Sequence, residues 1–198
     1  MLSFSGNIWH QGLVSLHRNR GIAVRNRGFQ RRVTDLAQRL GRGNGLSPEV
    51  PVLASFGFHL GRIVPPFGYN GHKADPAQFL ADGESQFASR ALTEAYARHY
   101  RQGHVRMLKR LAGMVPTIAV APPDIFGTVN YPQFVSVVKA MIREAEVSLF
   151  DPCAELFPGK TGLPAALVAE DGVHGNAAYG AQVIGLLLDR GLIARKAA

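Results

Sequence analysis

Cysteine is nearly missing from this chain: Cys153 is the only one in 198 residues. That count excludes an internal disulfide and a thiolate metal cluster, and it fits a reducing compartment. Long apolar runs are missing too, none reaching the ~18 residues that a membrane-spanning helix needs. The N-terminal stretch Met1-Leu2-Ser3-Phe4-Ser5-Gly6 has no basic segment and its apolar run stops at the glycine, so no secretory signal is read there and a cytoplasmic location is expected. Lysine is missing from residues 1–48, and acid almost so. That segment holds eight Arg and only Asp35, a net +7, whereas residues 49–198 carry +1.

Several chemical signatures are absent as well. No Gly-x-Gly-x-x-Gly follows the first apolar segment, which argues against dinucleotide binding. Pro158-Gly159-Lys160-Thr161-Gly162 looks like the end of a phosphate-binding loop, but Ala154 stands where its first Gly belongs. His99 and His104 are five residues apart and do not share a helix face, so they form no zinc-binding pair. No cofactor and no metal are expected. Arg18, Arg20, Arg25, Arg27, Arg31 and Arg32, with Arg39 and Arg42, make a basic surface that attracts carboxylate, sulfate or phosphate groups. The segment lacks the interleaved aromatics of a stacking platform and is interrupted at Gly21, Gly28 and Gly41, so nucleic acid is not the expected partner.

What remains is an alternation of short apolar runs and helical periodicities. Strands are predicted over 2–5, 21–24, 50–58, 116–120 and 147–150, and helices over 9–18, 29–40, 84–111, 131–146 and 177–188, with Gly103 as a point of interruption. A Pro- and Gly-rich loop covers 61–82. This order predicts βαβ units in one α/β domain spanning 1–198, a three-layer α/β/α sandwich around a central parallel sheet. Ligands of such sheets bind outside the carboxyl ends of the strands, here the turns at Gly6-Asn7, Gly57-Phe58-His59 and Pro122-Pro123-Asp124.

The sharpest chemical signal is Glu170-Asp171-Gly172-Val173-His174-Gly175-Asn176. An Asp three residues ahead of a His, with Gly between, lets a carboxylate orient an imidazole as a general base. Asn176 reads as the N-cap of the helix that follows.

Taken together, Gly6-Asn7, the strand ending at Gly57, the Pro122-Pro123 strand end and, most specifically, Asp171-Gly172-Val173-His174 before a last amphipathic helix resemble the SGNH (GDSL-type) hydrolase superfamily. The resemblance implies a flavodoxin-like sheet, ester hydrolysis or acyl transfer on a small-molecule or carbohydrate ester, and a Ser nucleophile on the first strand-to-helix turn. It also implies oxyanion donors from a Gly and an Asn on later loops. Ile8 departs from the pattern, because it stands where the family has Ser. Ser5 then remains as a displaced nucleophile, or His174 activates water or an acceptor hydroxyl directly. For the oxyanion, Gly6 and Asn7 line the first turn, and either Gly57 with His59 or Gly68 with Asn70 supplies the later donors. The expected function is therefore an esterase or O-acyltransferase with His174 as base and Asp171 as its orienting group. The alternative is a non-catalytic module that binds a glycan or an anionic ligand, the Arg-rich segment favouring an anionic one.

Overall fold

The computed structural model describes residues 14–17, 21–39, 46, 51–55, 57–58, 72–73, 86–87, 89–125, 130–160, 162–172 and 174–193. The first described element corrects an expectation. Where the spacing predicts a helix over 9–18, Val14–His17 is a strand, β1, paired antiparallel with β2, Gly21–Val24. The reason is period two: Val14 and Leu16 are buried, while Ser15 and His17 face out and share a 2.9 Å hydrogen bond. Gly21, at φ +67°, turns the chain into β2.

Helix α1, Arg27–Arg39, begins where the Asn26 side chain accepts the Phe29 N–H at 3.1 Å. Its Phe29 and Val33 pack on Val14 and Val24 of the hairpin, and Gln30 Oε1 accepts the Val24 N–H at 2.7 Å. The hairpin in turn rests through Leu16 on Leu111 and Val115.

Three strands form a parallel sheet: β3 (Val52–Ala54), β6 (Thr117–Val120) and β7 (Ser148–Phe150), with β6 in the middle. Parallel neighbours need long crossovers, supplied here by α2, Arg90–Ala112, and α3, Asn130–Glu144. Before α2, the dipeptides β4 (His72–Lys73) and β5 (Gln86–Phe87) pair in parallel. Consequently α2 starts six residues later than its periodicity predicts, at the Ser89 cap, whose Oγ accepts the Leu92 N–H at 3.2 Å. It also runs unbroken through Gly103, which sits on an open helix surface. The cost of about 1 kcal/mol for a mid-helix Gly is outweighed by burial of Ala97, Val105 and Leu108.

Phe134, Val138 and Ile142 of α3 recur every four residues and are fully buried against α2 and against Ala54 and Ala119 of the sheet. The opposite face of the same strands carries Ile118 and Phe150, which pack on Leu187 of α5, Ala177–Asp189. Helix α3 stops two residues short of its predicted end, and Glu146 leaves it at φ +60°. A short helix α4, Pro152–Leu156, and a 3-10 turn, Ala165–Leu167, lie between β7 and α5. Neither is predicted by periodicity, since each is a single turn. Among the described residues no helix is long and apolar enough to cross a membrane.

Candidate functional site

The segment ahead of α5 is a tight loop clamped at its base. Val168 and Gly175 form an antiparallel bridge, the Ala169 N–H donates to the His174 carbonyl at 2.8 Å, and the Asn176 N–H donates to the Leu167 carbonyl at 2.8 Å. Gly172, at φ +70°, lets the loop reverse and returns its N–H to the Ala169 carbonyl. Asn176 caps α5 as expected, its Oδ1 accepting from Tyr179 N–H at 3.1 Å and its amide donating to the Ala166 carbonyl at 2.8 Å.

At the tip, one carboxylate holds the histidine twice. Asp171 Oδ1 accepts the His174 N–H at 3.0 Å, and Oδ2 lies 2.6 Å from His174 Nδ1. An ionised carboxylate only accepts, so Nδ1 is the donor and, in the neutral ring, the lone pair is on Nε2. That is the tautomer a general base requires. Both side chains are open to solvent, 75% for His174 and 50% for Asp171. Among the described residues the ring hydrogen-bonds only to Asp171.

The pair is tied to the carboxyl ends of the sheet through Tyr179. A Cβ on Gly175 would lie 2.3 Å from Tyr179 Cδ1, so the ring rests directly on the loop backbone. Its hydroxyl reaches Cys153 Sγ at 3.5 Å. Burial first, then the contact with Cys153, pushes the phenol well above the ordinary tyrosine range. Cys153 follows β7 and lines a cleft of about 310 Å³ that opens beyond the ends of β6 and β7. From the β6 side come Pro122 and Asp124, and from α3 come Val135, Ser136, Lys139 and Arg143. Asp151 closes it, capping α4 through Ala154 N–H at 3.3 Å and pairing with Lys139 Nζ at 2.5 Å. Gly162, at φ +88°, packs against the Asp124 carbonyl, which also accepts the Leu163 N–H at 2.7 Å. The glycines that resemble a phosphate loop thus serve to turn the chain after α4.

Of the other predicted site residues, Gly57 is described. It follows β3 at φ +96°, and an added Cβ would meet His104 Cβ at 3.5 Å and Val138 at 3.8 Å, so backbone conformation rather than space demands glycine there. Ser5, Gly6, Asn7, Ile8, His59 and Asn70 lie outside the described residues.

Two groups escape sequence reading. Arg101 and His104 are buried on the α2 face beside Gly57, with the Arg101 guanidinium 5.3 Å from the Phe134 ring. The cleft residues on α3 carry a readable trace, polar side chains at i, i+3 and i+7 on a helix otherwise apolar on its inner face. Among the described residues no three His, Cys, Asp or Glu side chains gather closely enough to hold a metal ion. No family model, curated protein or solved structure matches the chain.

Proposed function

We propose that this chain is a divergent SGNH-type esterase or O-acyltransferase domain acting on a small-molecule or carbohydrate ester, with His174 as general base and Asp171 as its orienting group. The observation that carries the reading is the 2.6 Å contact between Asp171 Oδ2 and His174 Nδ1, which leaves Nε2 as the acceptor facing away from the carboxylate. On this reading the three parallel strands belong to the central sheet of a flavodoxin-like, three-layer sandwich. Burial of Ala119 against α2 and α3, and of its neighbour Ile118 against α5, supports that architecture.

In the chemical step Nε2 takes a proton from an attacking hydroxyl, whose oxygen adds to the ester carbonyl. The resulting oxyanion is held by donors of one of two loops, Gly57 with His59 or Gly68 with Asn70. Collapse expels the alkoxide, which takes the proton from the imidazolium. The attacking hydroxyl belongs to Ser5 in an acyl-enzyme route, where a second round with water or an acceptor alcohol as nucleophile frees the acyl group and returns the proton to the Ser5 oxygen, or to water or an acceptor alcohol in a direct one.

A second reading, a module that binds a glycan or an anion without chemistry, draws on one observation. Cys153, the thiol that lines the cleft, is engaged with Tyr179 rather than with His174.

Hydrolysis of short-chain aryl esters separates the two. His174→Ala is expected to lower the rate by about 10²–10⁴-fold. Asp171→Asn is expected to do comparable damage, because an amide N–H facing Nδ1 favours the wrong tautomer. Ser5→Ala then reports the route, with loss of turnover marking the acyl-enzyme and full activity marking direct attack. Equal rates for the wild type and His174→Ala would leave only the binding module.

A further inference from the structure

The cleft beyond β6 and β7 holds chemistry that the Asp171–His174 pair does not use. At about 310 Å³ it lies at the low end of the range of roughly 300–1,000 Å³ for small-molecule sites, room for a ring-sized group. Ser136, Lys139 and Arg143 present one stripe of α3 to it. Lys139 is neutralised by Asp151 at 2.5 Å. Among the described residues, neither Arg143 nor Asp124 uses its charged group in a hydrogen bond or ion pair. Two opposite charges therefore line one small cleft without meeting each other, and a ligand that satisfies both must bring an anion and hydrogen-bond donors together. The guanidinium fork matches a carboxylate or a phosphate. A carboxylate such as that of Asp124 accepts from hydroxyl groups, and Pro122 and Val135 supply a small apolar wall for a C–H face.

We propose that this cleft binds a sugar-sized polyol bearing one carboxylate or phosphate, with the anion on Arg143 and hydroxyls on Asp124 and Ser136. Cys153 of the cleft and Gly175, next to His174 in the chain, are bridged by the single side chain of Tyr179, which joins the cleft to the loop that carries the candidate base. The further step, that the bound polyol is the alcohol part of an ester substrate, rests on the esterase reading above.

The test is an NMR titration of the full chain with D-glucuronate, glucose 6-phosphate, D-glucose and inorganic phosphate at matched ionic strength. At least one of the two anionic sugars is expected to shift the amides around Asp124 and Ser136 saturably and to bind at least ten-fold more tightly than glucose. Which of them binds more tightly tells carboxylate from phosphate. Arg143→Gln, on an exposed side chain, is expected to weaken that binding ten-fold or more, and Arg143→Lys, which keeps the charge and loses the fork, less so. The proposal is overturned by any of three results: no saturation with either anionic sugar, glucose or inorganic phosphate binding as tightly as the anionic sugars, or unchanged binding in Arg143→Gln. His174→Ala separates this from the ester reading. Binding that persists in a wild type whose ester turnover does not depend on His174 would sink the esterase and leave the cleft assignment standing.

Discussion

Tyr179 joins the histidine loop to the strand ends with two different parts of one side chain. Its ring lies against Gly175, where any Cβ would force a shift, and its hydroxyl meets Cys153. Burial raises its pKa above the usual value near 10, and this fixes a sign. Above pH ~10 the unfolded chain releases this proton while the folded chain keeps it, so stability is full below that pH and falls as pH rises beyond it. Tyr179→Phe is expected to flatten part of that fall in melting temperature between pH 9 and 11, with Tyr96, also raised by burial, acting separately in the same direction. At pH 7 the variant is expected to cost about 1 kcal/mol or less, since it loses only one long hydrogen bond to sulfur. Identical alkaline slopes for both proteins would contradict the buried phenol. The Asp171–His174 contact is legible in the sequence because every atom it needs lies within three residues. The Tyr179–Cys153 contact is not, because it depends on how α5 meets the end of β7, 26 residues away in the chain.

Among the elements, α3 and α5 are the most legible, since more than three turns of helical periodicity leave little room for another reading. Strand β1 is misread because Leu13, Val14 and Leu16 fit a helical stripe nearly as well as an alternating one, and only pairing with β2 decides. The dipeptide strands β4 and β5 have no period to read, and they displace the start of α2 into what looks like continuous helix. The α2–α3 contact carries most of the main core, with Phe134 at its centre, fully buried and facing Arg101. Phe134→Ala is therefore expected to destabilise by about 3–5 kcal/mol in urea unfolding, from lost transfer energy plus a cavity. Phe134→Leu is expected to recover most of that. A loss below about 1 kcal/mol for Phe134→Ala would contradict the packing of these two helices.

Over the whole molecule, the α/β class and the parallel sheet follow from short continuous apolar runs separated by helical stretches, and the structure agrees at β6, α3 and β7. The uneven charge is legible from composition alone, but its display is not. That requires α1, which turns Val33 and Ala37 inward and leaves Arg27, Arg31, Arg32 and Arg39 exposed, with Asp35 as the one acid among them. None of these four Arg forms an ion pair among the described residues, and only Arg32 has a specific contact, 5.7 Å above the Phe29 ring. Exposed like charges on one helix repel weakly and the cation–π contact contributes about 0.5 kcal/mol, so the two effects nearly offset. Replacing all four with Gln is expected to change unfolding free energy by less than about 1 kcal/mol. The same variant carries four fewer positive charges in a protein of net +8, and it should leave a cation exchanger at distinctly lower salt at pH 7. If the proposed esterase reading holds, turnover of an anionic ester at saturation should stay unchanged while the apparent KM rises at low salt and converges with the wild type at high salt, the pattern of a surface that attracts substrate without touching it. A fall in saturated turnover would instead bring the Arg face into the site itself.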